Sequence, residues 1–221
     1  FQIQGGYALV MLTQNTLVGV RDPFGIRPLV IGKLNNSYVF ASETCALDII
    51  GAKYIRDVEN GEIVSVQDDK LVSIKPFPIK KIRPCVFEYI YFSRPDSLLN
   101  GKCAYEYRKK FGADLAKESS LKADLVVPVP DSGNAAAIGF SQLTKIPFDL
   151  GLIRNHYVGR TFIEPAQKIR SLGVKLKLNA NKTTVKNKII ILIDDSLVRG
   201  TTSHKIVKML YDAGAKEVHV R

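Results

Sequence analysis

Five consecutive apolar residues, Ile189 to Ile193, run without a break into Asp194 and Asp195. A strand with one wet face alternates apolar and polar side chains, so this unbroken run needs cover on both faces. Ile206, Met209, Leu210 and Ala213 follow at helical spacing, and the stretch reads as strand, loop, helix. In an open parallel sheet, ligands bind beyond the carboxyl ends of the strands, which is where Asp194, Asp195 and the loop from Ser196 to Thr202 fall.

The loop chemistry suits an anion. A helix amino terminus presents unpaired N–H groups and the positive end of its dipole, and Gly200 with Thr201, Thr202 and Ser203 lets amides and hydroxyls approach closely. The spacing is not that of a Walker loop, and no lysine stands where one is required. Two carboxylates beside a phosphate would repel it unless they hold something else, such as ribose hydroxyls or a hydrated Mg²⁺. A phosphorylated sugar with a metal satisfies both halves. The bland reading, acids that end a strand and hydroxyls that cap a helix, explains each part alone but not the combination.

Phe1 to Ile74 carries short strands and tight turns, read as a meander-like sheet. A brief helix within residues 42–52 interrupts it, with Ser42 as N-cap, Glu43 in the first turn and Gly51 past the end. Lys75 to Pro84 holds three prolines and four cations, an extended connection unsuited to a central sheet. The boundary is therefore placed there, giving domains 1–84 and 85–221. Beyond it strands alternate with longer helices, the pattern of a parallel sheet covered on both faces.

The chain is 46% hydrophobic, with no apolar run near the roughly 20 residues of a membrane span and no secretory leader. A cytoplasmic protein is expected. Cys45, Cys85 and Cys103 are odd in number and widely spaced, which implies neither a disulfide framework nor a complete zinc site. A net charge of +11 attracts anions, but the cations are dispersed, and no helix-turn-helix pattern or basic helix points to nucleic acid. The start at Phe1 and the end inside the strand-like Glu217 to Arg221 suggest a fragment.

Three further stretches carry candidate residues. Asp131, Ser132 and Gly133 end another apolar strand and could form a second anion loop; in isolation a locally bonded turn explains them well, and their placement before a helix favours the loop modestly. Residues 151–170 place Arg154, His156, Tyr157, Arg160, Lys168 and Arg170 among few apolar anchors, as in a cationic flap or a solvated basic loop. Asp22 and Pro23 open a turn between Arg21 and Arg27 that local Asp–backbone bonds can explain.

The stretch from Ile189 to Ser203 resembles the diphosphate-sugar fingerprint of type I phosphoribosyltransferases. Residues 21–33, 39–44, 87–97, 154–163 and 177–181 ("RDPFGIRPLVIGK", "VFASET", "FEYIYFSRPDS", "RNHYVGRTFI", "KLNAN") are similar, in order, to the glutamine phosphoribosylpyrophosphate amidotransferase family. The resemblance implies a glycosyltransferase that makes 5-phosphoribosylamine from phosphoribosylpyrophosphate and glutamine, releasing pyrophosphate and glutamate, at the first committed step of purine synthesis. It implies the C-terminal part of an N-terminal-nucleophile glutaminase sandwich followed by a type I phosphoribosyltransferase domain, both incomplete, and a homo-oligomer at full length.

By the same resemblance Asp194 and Asp195 contact ribose hydroxyls and Mg²⁺, Ser196, Arg199, Gly200, Thr201 and Thr202 belong to the loop cradling the 5′-phosphate, and Asp131, Ser132 and Gly133 serve pyrophosphate, with Ser132 tied to the metal. Tyr157 and Arg160 lie on the flap. Asp22 is matched to the glutamine α-ammonium, and Tyr91 borders the ammonia path unless it is simply a buried aromatic. Cys85 matches a ligand of a 4Fe–4S cluster in some members, while others keep a cysteine there without a cluster. The family's glutaminase nucleophile is an amino-terminal cysteine, and Phe1 stands here, so the chain by itself is expected to lack that activity. The rival readings are a nucleobase phosphoribosyltransferase and a regulator that senses phosphoribosylpyrophosphate.

Overall fold

The computed structural model describes residues 3–78, 80–118, 121–155, 177–198 and 200–221. They form two compact units, Phe1–Tyr105 and Glu106–Arg221. Among the described residues, no helix is long and apolar enough to cross a membrane.

The first unit holds β1 (Ala8–Leu12), β2 (Leu17–Arg21), β3 (Val30–Leu34), β4 (Ser37–Ala41), α1 (Thr44–Ile49), β5 (Lys53–Asp57), β6 (Ile63–Gln67) and β7 (Lys70–Ile74). These strands build two antiparallel sheets rather than one meander, in the orders β1-β2-β6-β7 and β4-β3-β5. The chain leaves the first sheet after β2, completes the second, and returns as β6 against β2, Gly19 opposite Val64. Burial drives the split. Leu29, Ile31, Val58 and Val64 are buried together with Tyr38, Phe40 and Leu71 packed on them, an apolar layer drawn from both sheets. Val30, Leu47 and Ala52 form a second cluster beneath α1.

The helix α1 starts one residue later than its sequence suggests. Glu43, not Ser42, holds the cap position, and its carboxylate accepts from the Arg94 N–H at 2.7 Å and the Ser97 hydroxyl at 2.8 Å instead of capping the helix. Gly51 ends the turn as expected, with φ of 71°.

Those two bonds also tie residues beyond the proline-rich connection to the first unit. The proline-rich connection docks on the first unit, Arg83 N–H donating to Phe24 O at 2.8 Å and Cys85 N–H to Ile26 O at 3.1 Å. Pro84 falls between the two donors, where its missing N–H costs nothing. A π-helix (Glu88–Phe92) and the hairpin β8 (Leu98–Leu99) and β9 (Lys102–Cys103) follow, and the first compact unit runs to Tyr105.

The second unit carries most of α2 (Ala104–Glu118), then β10 (Leu125–Pro128), α3 (Asn134–Thr144), β11 (Leu152–Arg154), β12 (Leu178–Ala180), α4 (Lys182–Val185), β13 (Ile189–Ile193), α5 (Thr201–Asp212) and β14 (Glu217–Val220). β13 lies between β10 and β14, parallel to both, with Val126 opposite Ile191 and Ile191 opposite His219. Its alternate side chains enter different cores. Ile190 and Leu192 join Val127, Ile206 and Leu210, whereas Ile191 and Ile193 join Val126, Ala137 and Phe140. Cover by helices on both faces is why the run has no polar alternation, and each such side chain contributes about 1.5–3 kcal/mol on burial.

Candidate phosphoribosyl-binding site

β10 and β13 end side by side, Pro128 opposite Ile193, so the loops that leave them share one edge of the sheet. The Val129 N–H donates to Ile193 O at 2.8 Å, and the Gly133 N–H returns to Val129 O at 2.9 Å. Gly133 packs so tightly that a Cβ would lie 2.4 Å from Ile193 O. A side chain there would push the two loops apart, which explains the glycine.

On the β13 side, the Asp195 N–H donates to Asp194 Oδ1 at 2.9 Å, and the Ser196 hydroxyl donates to Asp195 Oδ1. Asp194 is half-buried; burial first, and then the charge of Asp195, pushes its carboxyl up to about 6. Leu197 and Val198 are exposed, and Gly200 occupies the N-cap of α5 with φ of 68° and open space around its Cα. Thr201 and Thr202 open α5, which has no side-chain cap bond, so the first-turn amides face the loop without an intrahelical partner. The helix begins at Thr201, slightly earlier than the sequence suggests at Ser203.

The β10 loop presents an exposed Asp131 and a half-buried Ser132 ahead of α3. The carboxylate of Asp131 pairs with Arg154 at the end of β11, a partner that sequence spacing does not reveal. Asp131, Ser132, Gly133, Asp194, Asp195, Ser196, Gly200, Thr201 and Thr202 thus share one edge of the second unit. Tyr157, Arg160 and Arg199, together with His156, Lys168 and Arg170, lie outside the described residues.

The first-unit candidates fare differently. Asp22 is fully buried. Its Oδ1 accepts from Phe24 and Ile26 N–H at 2.9 and 3.1 Å, and its Oδ2 from Arg27 and Tyr7 N–H at 3.1 and 3.4 Å. Four backbone donors converge on the carboxylate, so Asp22 organises its own turn. Tyr91 is 55% exposed, which removes the buried-aromatic alternative. Cys85 is a free thiol, and among the described residues no group of three or more His, Cys, Asp or Glu is arranged to hold a metal. The sequence does not reveal the pair Arg56–Glu62, in which Glu62 is buried, or the pair Arg27–Glu88, because their partners meet only across turns and elements.

Residues 1–48 match the model of a glutamine amidotransferase domain. The whole chain is 56% identical to the amidophosphoribosyltransferase of Rhizobium etli, of which it spans 45%, and 98% of it is 57% identical to that of Synechocystis sp., of which it spans 44%. Over its whole length the chain is thus similar to one part of the amidophosphoribosyltransferases. A relative from Arabidopsis thaliana, 52% identical over the full chain and 39% of its own length, is chloroplastic, so the family does not fix a cytoplasmic location. Among solved structures, the glutamine phosphoribosylpyrophosphate amidotransferase from B. subtilis complexed with ADP and GMP superposes with a TM-score of 0.89 at 49% identity, covering 98% of this chain and 48% of that one. A structure described as the allosteric regulatory enzyme of purine biosynthesis does so at 0.89 and 50%, covering 98% and 47%. The chain therefore spans about half the length of these amidophosphoribosyltransferases.

Proposed function

We propose that this chain carries the phosphoribosylpyrophosphate-binding core, and the adjoining part of the glutaminase, of an enzyme that makes 5-phosphoribosylamine from phosphoribosylpyrophosphate and glutamine. The observation that carries the reading is the meeting of two loops on one sheet edge: an acid pair with a glycine-entered helix amino end, and an Asp-Ser-Gly loop bonded to it through Val129 and Ile193. On this reading the first unit is the C-terminal part of an N-terminal-nucleophile sandwich and the second a type I phosphoribosyltransferase domain. The amides of Thr201 and Thr202 hold the 5′-phosphate, Asp194 and Asp195 the ribose hydroxyls, and Ser132 and Gly133 the diphosphate.

The donor set fits Mg²⁺: hard oxygens from Asp194, Asp195 and Ser132, with an acid pair whose mutual repulsion a divalent cation relieves. When bound, the ion neutralises charge on the departing diphosphate. The residues themselves work by position. They hold C1 open to an incoming ammonia while the loop amides stabilise the anionic groups, and no protein nucleophile is needed at C1.

Glutamine hydrolysis would supply that ammonia, with Tyr91 beside its route. None of Cys45, Cys85 and Cys103 carries an adjacent free amine, so the glutaminase nucleophile is not among these residues. The glutamine amidotransferase match and the relatives' names favour this reading over a nucleobase transferase or a phosphoribosylpyrophosphate-sensing regulator. An assembly of identical subunits and a location in the cytoplasm or a plastid belong to the same proposal, and nothing in the reading calls for nucleic acid, membrane or an iron–sulfur cluster at Cys85.

Titration calorimetry with phosphoribosylpyrophosphate and Mg²⁺ tests it. The Asp194→Asn, Asp195→Asn double variant is expected to lose metal-dependent binding, and unchanged affinity would remove the acid pair from the site.

A further inference from the structure

The turn from Asp22 to Arg27 is fixed from several sides. Besides the Asp22 carboxylate, the Arg21 guanidinium holds the carbonyls of Arg27 and Gly25 at 2.9 and 3.4 Å, and Arg83 and Cys85 donate to Phe24 and Ile26. One long side chain leaves this rigid turn. Arg27 reaches the π-helix, its Nη1 lying 2.7 Å from Glu88 Oε1 and its guanidinium carbon 5.2 Å from the centroid of the Phe92 ring.

Glu88 is 5% exposed; its Oε2 takes the Ser93 hydroxyl at 3.0 Å, while Oε1 has no well-aligned hydrogen bond and depends on the Arg27 charge. Phe92 lies 6.3 Å from Tyr91 and 5.7 Å from Phe87, centroid to centroid. A π-helical turn is a costly local geometry that is common at functional sites, and here it turns Tyr91 and Phe92 outward, each about half exposed.

We propose that Arg27 is a positioning residue for ammonia transfer: it locks the Glu88–Phe92 turn onto the rigid Asp22–Arg27 turn and so sets the orientation of Tyr91, without touching either substrate. This rests on the reading above, in which Tyr91 borders the ammonia route. Arginine suits the position because its delocalised charge can lie beside Glu88 and over the Phe92 ring at once, which a compact, strongly hydrated ammonium does less well.

The test uses an enzyme of the relatives' length that contains this chain, and compares three rates: glutamine hydrolysis, phosphoribosylamine synthesis from added ammonia, and synthesis from glutamine. Arg27→Met is expected to leave the first two within about twofold and to lower the third about tenfold, so that ammonia is released into solution. Arg27→Lys keeps a cation for Glu88, protects folding, and is expected to lose part of the same ratio. A proportional fall of all three rates, or intact glutamine-dependent synthesis in both variants, overturns the proposal. A parent enzyme that makes no phosphoribosylamine from ammonia overturns the assignment of the site itself, and the role of Arg27 with it.

Discussion

The Val129 N–H donates to the carbonyl of Ile193 at 2.8 Å, and this single bond ties together the two loops that leave β10 and β13. Gly133 sits above it with no room for a side chain. Gly133→Ala is therefore expected to destabilise the second unit by about 1–3 kcal/mol through overpacking, and to weaken phosphoribosylpyrophosphate binding by separating the loops. Thermal denaturation and calorimetry on the same preparation check it.

Gly200 makes the opposite case, for here space is open and only the backbone objects. Its φ of 68° is left-handed, and a β-branched residue is strained there by about 1–2 kcal/mol. Gly200→Val should weaken binding of the 5′-phosphate with no change of charge. Thr201→Ala should cost less, roughly 0.5–1.5 kcal/mol for one neutral hydrogen bond. The order of the two affinities is the measurement, and a reversed order places the phosphate elsewhere.

Asp194 gives the site a pH dependence. Its carboxyl, at about 6 in the folded chain, lies above the ordinary 3.8, so the folded state holds a proton that the unfolded state has lost. Stability from this group is greatest in acid and falls as pH rises from about 4 to 6. A cation held at the proposed site would move the other way, since it must replace that proton. Mg²⁺-dependent binding of phosphoribosylpyrophosphate should strengthen from pH 5 to pH 7, and Asp194→Asn should flatten the profile.

In the first unit Glu62 behaves in reverse. Burial disfavours its charge, but hydrogen bonds from Arg56, Ser73 and the Glu59 N–H outweigh burial and hold it at about 2, below the ordinary 4.5. Its stabilisation is complete above pH 4.5 and disappears as pH falls through 2. Arg56→Ala leaves a buried carboxylate unpaired and should cost about 3–5 kcal/mol in urea denaturation at pH 7. A change below 1 kcal/mol would show that water reaches Glu62.

Asp22→Ala strips four backbone N–H groups of their acceptor. With each buried orphan costing about 1–3 kcal/mol, the first unit should lose several kcal/mol of stability. In the full-length enzyme the KM for glutamine should stay unchanged at temperatures where the variant remains folded. A raised KM without loss of stability would return Asp22 to the glutamine site.

The unbroken run Ile189–Ile193 determined a strand covered on both faces, and the acids and Gly200 that follow marked the proposed site at its end, because burial and backbone freedom act locally. Pairing is not local. Whether β6 returned to β2 or extended a meander depended on how Leu29, Ile31, Val58 and Val64 could be buried between two sheets. The same holds for Asp22. Its sequence announces a local turn, but the fourth N–H donor on its carboxylate comes from Tyr7, beside those of Phe24, Ile26 and Arg27, and only the folded chain brings it there. Arg27 and Glu88 likewise meet only once the proline-rich segment has docked on the carbonyls of Phe24 and Ile26, since a charged pair forms where three-dimensional packing, not sequence distance, removes water from one of its members.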